Sequence, residues 1–462
     1  MKNLTNLIGT GTALKDLLTS SPIFLVLIIL YSIYSIFYAI LYLNLESPSD
    51  LGTALGLISI FIGLISIYYA LYMSRKSTKQ LKEIQIDYWN TRGVDYSKQK
   101  KYDDALQSYE KAIDLDPSSS KLRINKANAL SSKGQYKDAI ETIRTAIMLE
   151  KPTSDRYPRA LNTKGEVLFR QSKYHEAIAT FEEAIKQNPQ LVYPWINLGA
   201  VHYELEKYDK AIEAYDKAIK LDPKFVGAYY GKGRAHNSKK EYQEAIEALD
   251  NAIERFERTR LEKLDRFDIE MYALIWSEKG ITLTNQKKND DALDKAIHAY
   301  RTAIEFDPRY IVAWYNLGNI YSDKTEYDRA IEAYDRAIDI NPRDVDVLSA
   351  RGKVLHLKGE YNKALEAYDK IMEKLPSEDS AYFSALVNRG NALCGLEKFD
   401  EALKDFERAK KIDPFNTIVL DNMSLVLLAL GRNEEAEAVR EKASRLTRLV
   451  QNSNSYIDSS DP

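Results

Sequence analysis

The chain has 462 residues, 45% hydrophobic and 29% charged, with 65 Lys and Arg against 68 Asp and Glu for a net charge of −3. That is the composition of a folded protein, and the sparse Gly and Pro (19 and 13) exclude collagen-like and broadly disordered classes. The balanced charge lacks the basic excess of a nucleic-acid binder, and the single cysteine, Cys394, excludes an intramolecular disulfide or a cysteine-based zinc site.

Residues 1–21 read as an N-terminal cytoplasmic segment. Residues 22–43 (PIFLVLIILYSIYSIFYAILYL) and 51–73 (LGTALGLISIFIGLISIYYALYM) carry no charge. Each is long enough, as a helix, to cross a hydrocarbon core of about 30 Å. Only the short external loop 44–50 separates them, so the expectation is a two-helix transmembrane hairpin with both chain ends on one side. Lys2, Lys15, Arg75, Lys76, Lys79 and Lys82 flank the hairpin, and the loop has no Lys or Arg. The positive-inside rule then puts both termini and everything after residue 73 in the cytoplasm, and the protein in the cytoplasmic or plasma membrane. A cleaved signal peptide fits the first segment poorly: it is long, lacks an A-x-A-like site, and a second span follows at once. Gly52, Gly56 and Gly63 give the second span a small-residue face. That face suits packing of the two spans on each other, or self-association within the membrane.

After a basic linker at 74–85, the sequence repeats itself from 86 to 449 with a period near 34 residues. Gly93, Gly165, Gly199, Gly233, Gly280, Gly318, Gly352 and Gly390 mark one column. Twelve residues after most of them stands an alanine (Ala105, Ala177, Ala211, Ala245, Ala330, Ala364, Ala402), and four later a large apolar residue (Tyr109, Phe181, Tyr215, Leu249, Tyr334, Tyr368, Phe406). Residues three or four apart share a helix face, so each unit reads as two helices. The glycine, costly in a helix interior, makes sense where a neighbouring helix passes close by. Pro117, Pro189, Pro223, Pro308, Pro342, Pro376 and Pro414 end second helices, usually after a turn-favouring Asp or Asn.

These columns resemble the tetratricopeptide repeat, W-x2-L-G-x2-Y, then A-x3-F, then P. The unit from Val192 matches with Trp195, Leu198, Gly199, Ala211, Tyr215, Ala218 and Pro223; the unit from Ile311 matches with Trp314, Leu317, Gly318, Tyr321, Ala330, Tyr334, Ala337 and Pro342. Nine units begin near residues 86, 120, 158, 192, 226, 273, 311, 345 and 383. A degenerate capping unit begins near 417, and 450–462 read as a disordered tail. An insertion at 260–272 and about four extra residues at 289–296 break the period, which would kink the array or lengthen its helices. The resemblance implies an all-α, right-handed superhelical solenoid of antiparallel helix pairs.

It also implies that the first helix of each unit lines a concave groove for a protein or peptide partner. The columns two before and one after the glycine hold Asn125, Asn197, Asn316, Asn388 and Asn128, Asn319, Asn391. An amide offers donors and an acceptor, so this ladder could grip the backbone of an extended segment, or serve packing and solubility instead. Tyr193, Tyr203, Tyr230 and Tyr315 add aromatic anchor surface. No catalytic set, cofactor motif or metal-ligand spacing is present: Gly9-Thr10-Gly11-Thr12 lacks the continuation of a phosphate loop, and the five histidines lack an H-E-x-x-H arrangement. The sequence thus points to a non-catalytic, membrane-anchored interaction scaffold or receptor. The alternative is an assembly subunit of a membrane enzyme or secretion complex that makes its contacts through the hairpin.

Overall fold

The computed structural model describes residues 77–260, 264–286 and 290–457, together with Tyr34. Among the described residues 77–457 there are twenty α-helices and no strand. They fall into two compact units, Met1–Leu149 and Glu150–Pro462. The first contains α1 (77–98), α2 (Tyr102–Leu115), α3 (Ser120–Ser132) and α4 (Tyr136–Met148). The second contains α5 (Arg156–Arg170), α6 (Tyr174–Gln187), α7 (Val192–Glu204), α8 (Tyr208–Leu221), α9 (Val226–Ser238), α10 (Tyr242–Arg260), α11 (Arg266–Gln286), α12 (Asp290–Phe306), α13 (Ile311–Asp323), α14 (Tyr327–Ile340), α15 (Val345–Leu357), α16 (Tyr361–Met372), α17 (Ser380–Gly395), α18 (Phe399–Ile412), α19 (Thr417–Ala429) and α20 (Asn433–Ile457). Odd-numbered helices are the first of each pair and even-numbered helices the second.

The membrane localisation expected from the sequence is corrected: no helix among the described residues is long and apolar enough to cross a membrane. The segments 22–43 and 51–73, with Gly52, Gly56 and Gly63, lie outside the described residues except for Tyr34. Two boundaries also move. The basic linker is helical from residue 77 and runs unbroken into the first repeat, and α20 continues to Ile457, past the expected end at 449. Neither stretch contains a proline, and no glycine precedes Gly93 in the first or occurs in the second, so a helix already nucleated has no local reason to stop.

The recurrent columns acquire specific contacts. The alanine column is fully buried at Ala105, Ala177, Ala211, Ala245, Ala330, Ala364 and Ala402. The glycine makes room for a ring rather than for a helix backbone. A Cβ placed on Gly318 would lie 2.5 Å from Tyr334 Cε1, and one on Gly199 would lie 2.7 Å from Tyr215 Cε1. The same clash recurs at Gly93 with Tyr109, Gly280 with Tyr300, Gly352 with Tyr368 and Gly390 with Phe406. In each pair the first helix gives up its side chain so that the second can bury an aromatic ring. The extra residues near 289–296 leave this intact, with Ala296, Tyr300 and Ala303 at 0–1% exposure. The insertion at 260–272 lengthens α10 and α11 to 19 and 21 residues. Tyr272 then stacks on Phe256 with centroids 4.6 Å apart and meets Phe306 edge-on at 4.5 Å.

The turns are built by the residue types their columns supply. The Asp or Asn before each proline accepts the backbone N–H two residues on, as in Asp222 to Lys224 (3.0 Å), Asp307 to Arg309 (3.0 Å) and Asn341 to Arg343 (3.2 Å). Those are Asx turns. The carbonyl of the proline is taken by the residue four before the glycine: Trp314 Nε1 donates to Pro308 O at 3.0 Å, and Tyr229 Oη to Pro223 O at 3.2 Å. The turn joining the two helices of a pair needs one left-handed residue. Gly134, Gly359 and Gly431 supply it freely, whereas Lys100, Ser172, Glu206, Lys240, Thr325 and Glu397 hold φ of 56–63° against their own Cβ. Thr325, at φ 58° and β-branched, is the most strained. Thr325→Gly therefore raises stability by about 0.5–1 kcal/mol, the strain relieved exceeding the added chain entropy. Urea unfolding checks this, and an unchanged or lower midpoint would contradict it.

Burial also raises the phenol pKa of Tyr215, Tyr300, Tyr334 and Tyr368 above the ordinary value near 10, and that of Tyr272 to about 12. A raised folded-state pKa means the unfolded chain loses its phenolic protons first. Stability is therefore full below about pH 10 and falls as pH climbs toward the folded values. Unfolding midpoints measured on either side of pH 10 should show that decline; a flat profile would mean the rings are not buried as protonated phenols.

Candidate partner-binding face

Within the second unit, each first helix packs on its own second helix and on the neighbouring first helix, and from α7 onward on the preceding second helix, whereas the backbones of second helices stay apart from one another among the described residues. The first helices thus form a contiguous layer. Its outward columns are the ones that the sequence picks out as partner-binding candidates.

The asparagines divide into two groups. Asn125 Nδ2 donates to Asn90 Oδ1 at 2.8 Å. Asn197 Nδ2 donates to Asn162 Oδ1 at 3.0 Å and to Glu166 Oε1 at 2.9 Å. Asn391 Oδ1 accepts from Asn422 Nδ2 at 3.0 Å, and Asn319 Oδ1 accepts from Tyr334 Oη at 2.7 Å. The first three of these amides tie one first helix to the next, and the fourth ties a first helix to its own second. Asn128 is exposed, Asn316 and Asn388 are half-buried, and none of the three makes a side-chain hydrogen bond among the described residues. The tyrosines divide likewise. Tyr193 is 55% exposed, edge-on to Phe225 at 5.6 Å. Tyr203 Oη pairs with Ser238 Oγ at 3.1 Å. Tyr315 is half-buried, with its ring 6.1 Å from that of Tyr334. Tyr230 is half-buried beside Arg234.

Sequence reasoning missed Arg234 and Glu278. Arg234 sits over the Tyr203 ring at 4.4 Å and 5.8 Å from the Tyr230 ring. Glu278 Oε1, on α11, accepts from Asn237 Nδ2 at 3.0 Å, and burial raises its pKa above the usual carboxylate range, with Asn237 and Arg234 pulling the other way. In the sequence both look like solvated helix charges. The sequence likewise gives no sign of the ion pairs between repeats. Lys133–Asp103 (2.6 Å), Lys239–Asp209 (2.8 Å), Lys324–Asp294 (2.8 Å) and Lys358–Asp328 (2.6 Å) all span 30 residues. Lys232–Asp216 (2.8 Å) and Arg351–Asp335 (2.6 Å) span 16. Two of the histidines are structural in their surroundings: burial lowers the pKa of His202, and His236 Nδ1 meets Glu241 Oε2 at 2.7 Å. Burial raises the Cys394 thiol pKa, away from reactive thiolate.

Comparison with known proteins agrees with this geometry. A family model described as tetratricopeptide repeat matches residues 86–119, 192–225, 311–344 and 383–416. A second, described as TPR repeat, matches 165–206 and 291–324, and a third, again tetratricopeptide repeat, matches 108–141, 214–247 and 333–366. The small glutamine-rich tetratricopeptide repeat-containing protein 2 of Mycosarcoma maydis is 34% identical over 90 residues, which is 20% of this chain and 24% of that protein. The Hsp70-Hsp90 organising protein of Plasmodium falciparum (isolate 3D7) is 36% identical over 73 residues, 16% of this chain and 13% of that protein. The chain thus spans about a quarter or less of the length of these relatives. Among solved structures, YrrB, described as a TPR protein with an unusual peptide-binding site, aligns at 22% identity and a TM-score of 0.32, covering 42% of this chain and 91% of that one. Helix pairs of constant period, rings set into glycine gaps and repeated matches to one repeat family together establish that this chain carries tetratricopeptide repeats.

Proposed function

We propose that the protein is a non-catalytic interaction scaffold whose layer of first helices holds an extended segment of a partner protein. The observation that carries this reading is the asymmetry of the helix pairs. Second helices spend their alanine and aromatic columns on the core, while first helices of the second unit leave Tyr193 exposed and the amides of Asn316 and Asn388 without side-chain partners among the described residues. Free amides can pair with the N–H and C=O groups of an extended chain, and an exposed tyrosine supplies apolar contact with a polar tip. Asn125, Asn197, Asn319 and Asn391 serve the fold instead.

The test is binding of short synthetic peptides to the wild-type chain and to a Tyr193→Ala, Asn316→Ala, Asn388→Ala variant whose helical content is matched by circular dichroism. Loss of binding in the variant supports the reading. Undiminished binding would sink it, and attention would move to the second-helix side.

A further inference from the structure

Arg234 stands out among the half-buried arginines of the first helices. Arg351 and Arg389 each meet a carboxylate at 2.6 Å. Arg234 is also half-buried, yet no hydrogen bond or ion pair reaches its guanidinium among the described residues. Two aromatic faces frame it, Tyr203 from α7 and Tyr230 from α9. A guanidinium carries five N–H donors in a planar fork shaped for a carboxylate, and rings on its flanks hold that fork in place. Beyond it, Asn285 Nδ2 donates to Asn237 Oδ1 at 3.3 Å, and Asn237 Nδ2 to Glu278 Oε1 at 3.0 Å. Glu278, the carboxylate whose charge acts on Arg234, is therefore held by an amide rather than by the arginine.

We propose that Arg234, framed by Tyr203 and Tyr230, is the subsite for a side-chain carboxylate, an Asp or Glu in the interior of the partner's extended segment. The inference rests on the groove reading above. An interior residue is chosen over a chain terminus because first helices continue on both sides, α5 and α7 before and α11 and α13 after. A segment lying along that layer passes Arg234 in mid-course.

Glu278 makes the subsite pH-sensitive. The groups that face it are Arg234 and Tyr230 from α9, Tyr300 from α12 and Tyr310 from the turn before α13. Burial keeps the three phenols protonated, so Glu278 is the group able to change charge. An incoming carboxylate beside it favours its neutral form further, and binding takes up a proton. Affinity therefore rises as pH falls through the raised range of Glu278, until the ligand carboxylate itself protonates near its ordinary value of about 4.

The experiment uses two arrays of short random peptides probed with the full chain, one array N-acetylated and C-amidated, the other with free C-terminal carboxylates. Expected are binders on the blocked array enriched in Asp or Glu at one interior position. Replacing that residue by Asn or Gln weakens binding about tenfold or more. Arg234→Gln abolishes the enrichment, while Glu278→Gln tightens acidic peptides and flattens their pH dependence. The Glu278 variant reads a gain, so the test survives misfolding of the Arg234 variant, which thermal melts would reveal. An acidic preference that persists in folded Arg234→Gln, or that depends on free C-terminal carboxylates, overturns the proposal, as does unchanged binding in Glu278→Gln. Binders without acidic preference overturn this subsite alone, whereas no wild-type binder on either array overturns the groove reading with it.

Discussion

Arg389→Met lowers the unfolding free energy by about 3 kcal/mol, the cost of stranding a buried charge. Arg389 sits on α17, one residue before Gly390. Its Nε and Nη2 donate to Asp405 Oδ2 and Oδ1 at 2.8 and 2.7 Å, and its Nη1 donates to Asp369 Oδ1 at 2.6 Å. One guanidinium thereby joins a first helix to its own second helix, α18, and to the preceding one, α16. Asp405 is 2% exposed, so its carboxylate cannot turn to water when the arginine goes. Arg408, with Nη1 3.8 Å from Asp405 Oδ1, is too distant to replace a bidentate partner, though it keeps the loss toward the lower end of the range for broken buried pairs. Removing both charges reverses much of the effect: Arg389→Met with Asp405→Leu should lie closer to wild type than the single change, since an apolar pair needs no counterion. Chemical denaturation of the three variants decides. A single variant within about 1 kcal/mol of wild type would show the pair to be an ordinary surface contact.

Gly318→Ala should cost about 1–3 kcal/mol although alanine is the better helix former, because packing opposes propensity here. The added methyl would stand 2.5 Å from Cε1 and 2.8 Å from Cδ1 of Tyr334, a side chain only 1% exposed and set in the core with Ala330, Ala337 and Val347. The chain contains its own answer to that clash. The second repeat has Ala127 in the glycine column, and sixteen residues later it has Ile143 rather than an aromatic. Both are fully buried. Gly318→Ala combined with Tyr334→Ile should therefore regain stability relative to Gly318→Ala alone, despite deleting a large buried ring. If the double variant is the less stable, the glycine is required by something other than the ring. The exposed cap of the array fits the same rule, since Ser424 in the glycine column is matched by Arg440, where nothing needs a gap.

Much of the fold could be read locally. The alanine and aromatic columns are four apart and therefore share a helix face whatever lies opposite, and Asp-Pro or Asn-Pro pairs close a turn through hydrogen bonds two residues long. Those relations fixed the helix pairs, the register of the repeat from residue 86 onward and the survival of that register through the extra residues near 289–296. Ends and anchors were read less well. Helix continues through 77–85 and through 450–457 because nothing in those stretches interrupts it, and the membrane localisation inferred from apolar composition is not upheld by any described helix.

The candidate face was legible as a set of columns and not as a set of contacts. Tyr203 and Tyr230 were named from their positions, but Arg234 between them and Glu278 beyond were indistinguishable from solvated charges. Asn197 and Asn316 occupy the same column, yet Asn197 is bound to Asn162 and Glu166 of the preceding repeat while Asn316 has no side-chain hydrogen bond among the described residues. The sequence by itself determined the all-helical class, the period, the core columns and the outward face, because each follows from side-chain spacing within one helix. Only the tertiary structure decided which polar groups on that face are already satisfied, because their partners stand about thirty residues away on the next helix pair, where local periodicity carries no information.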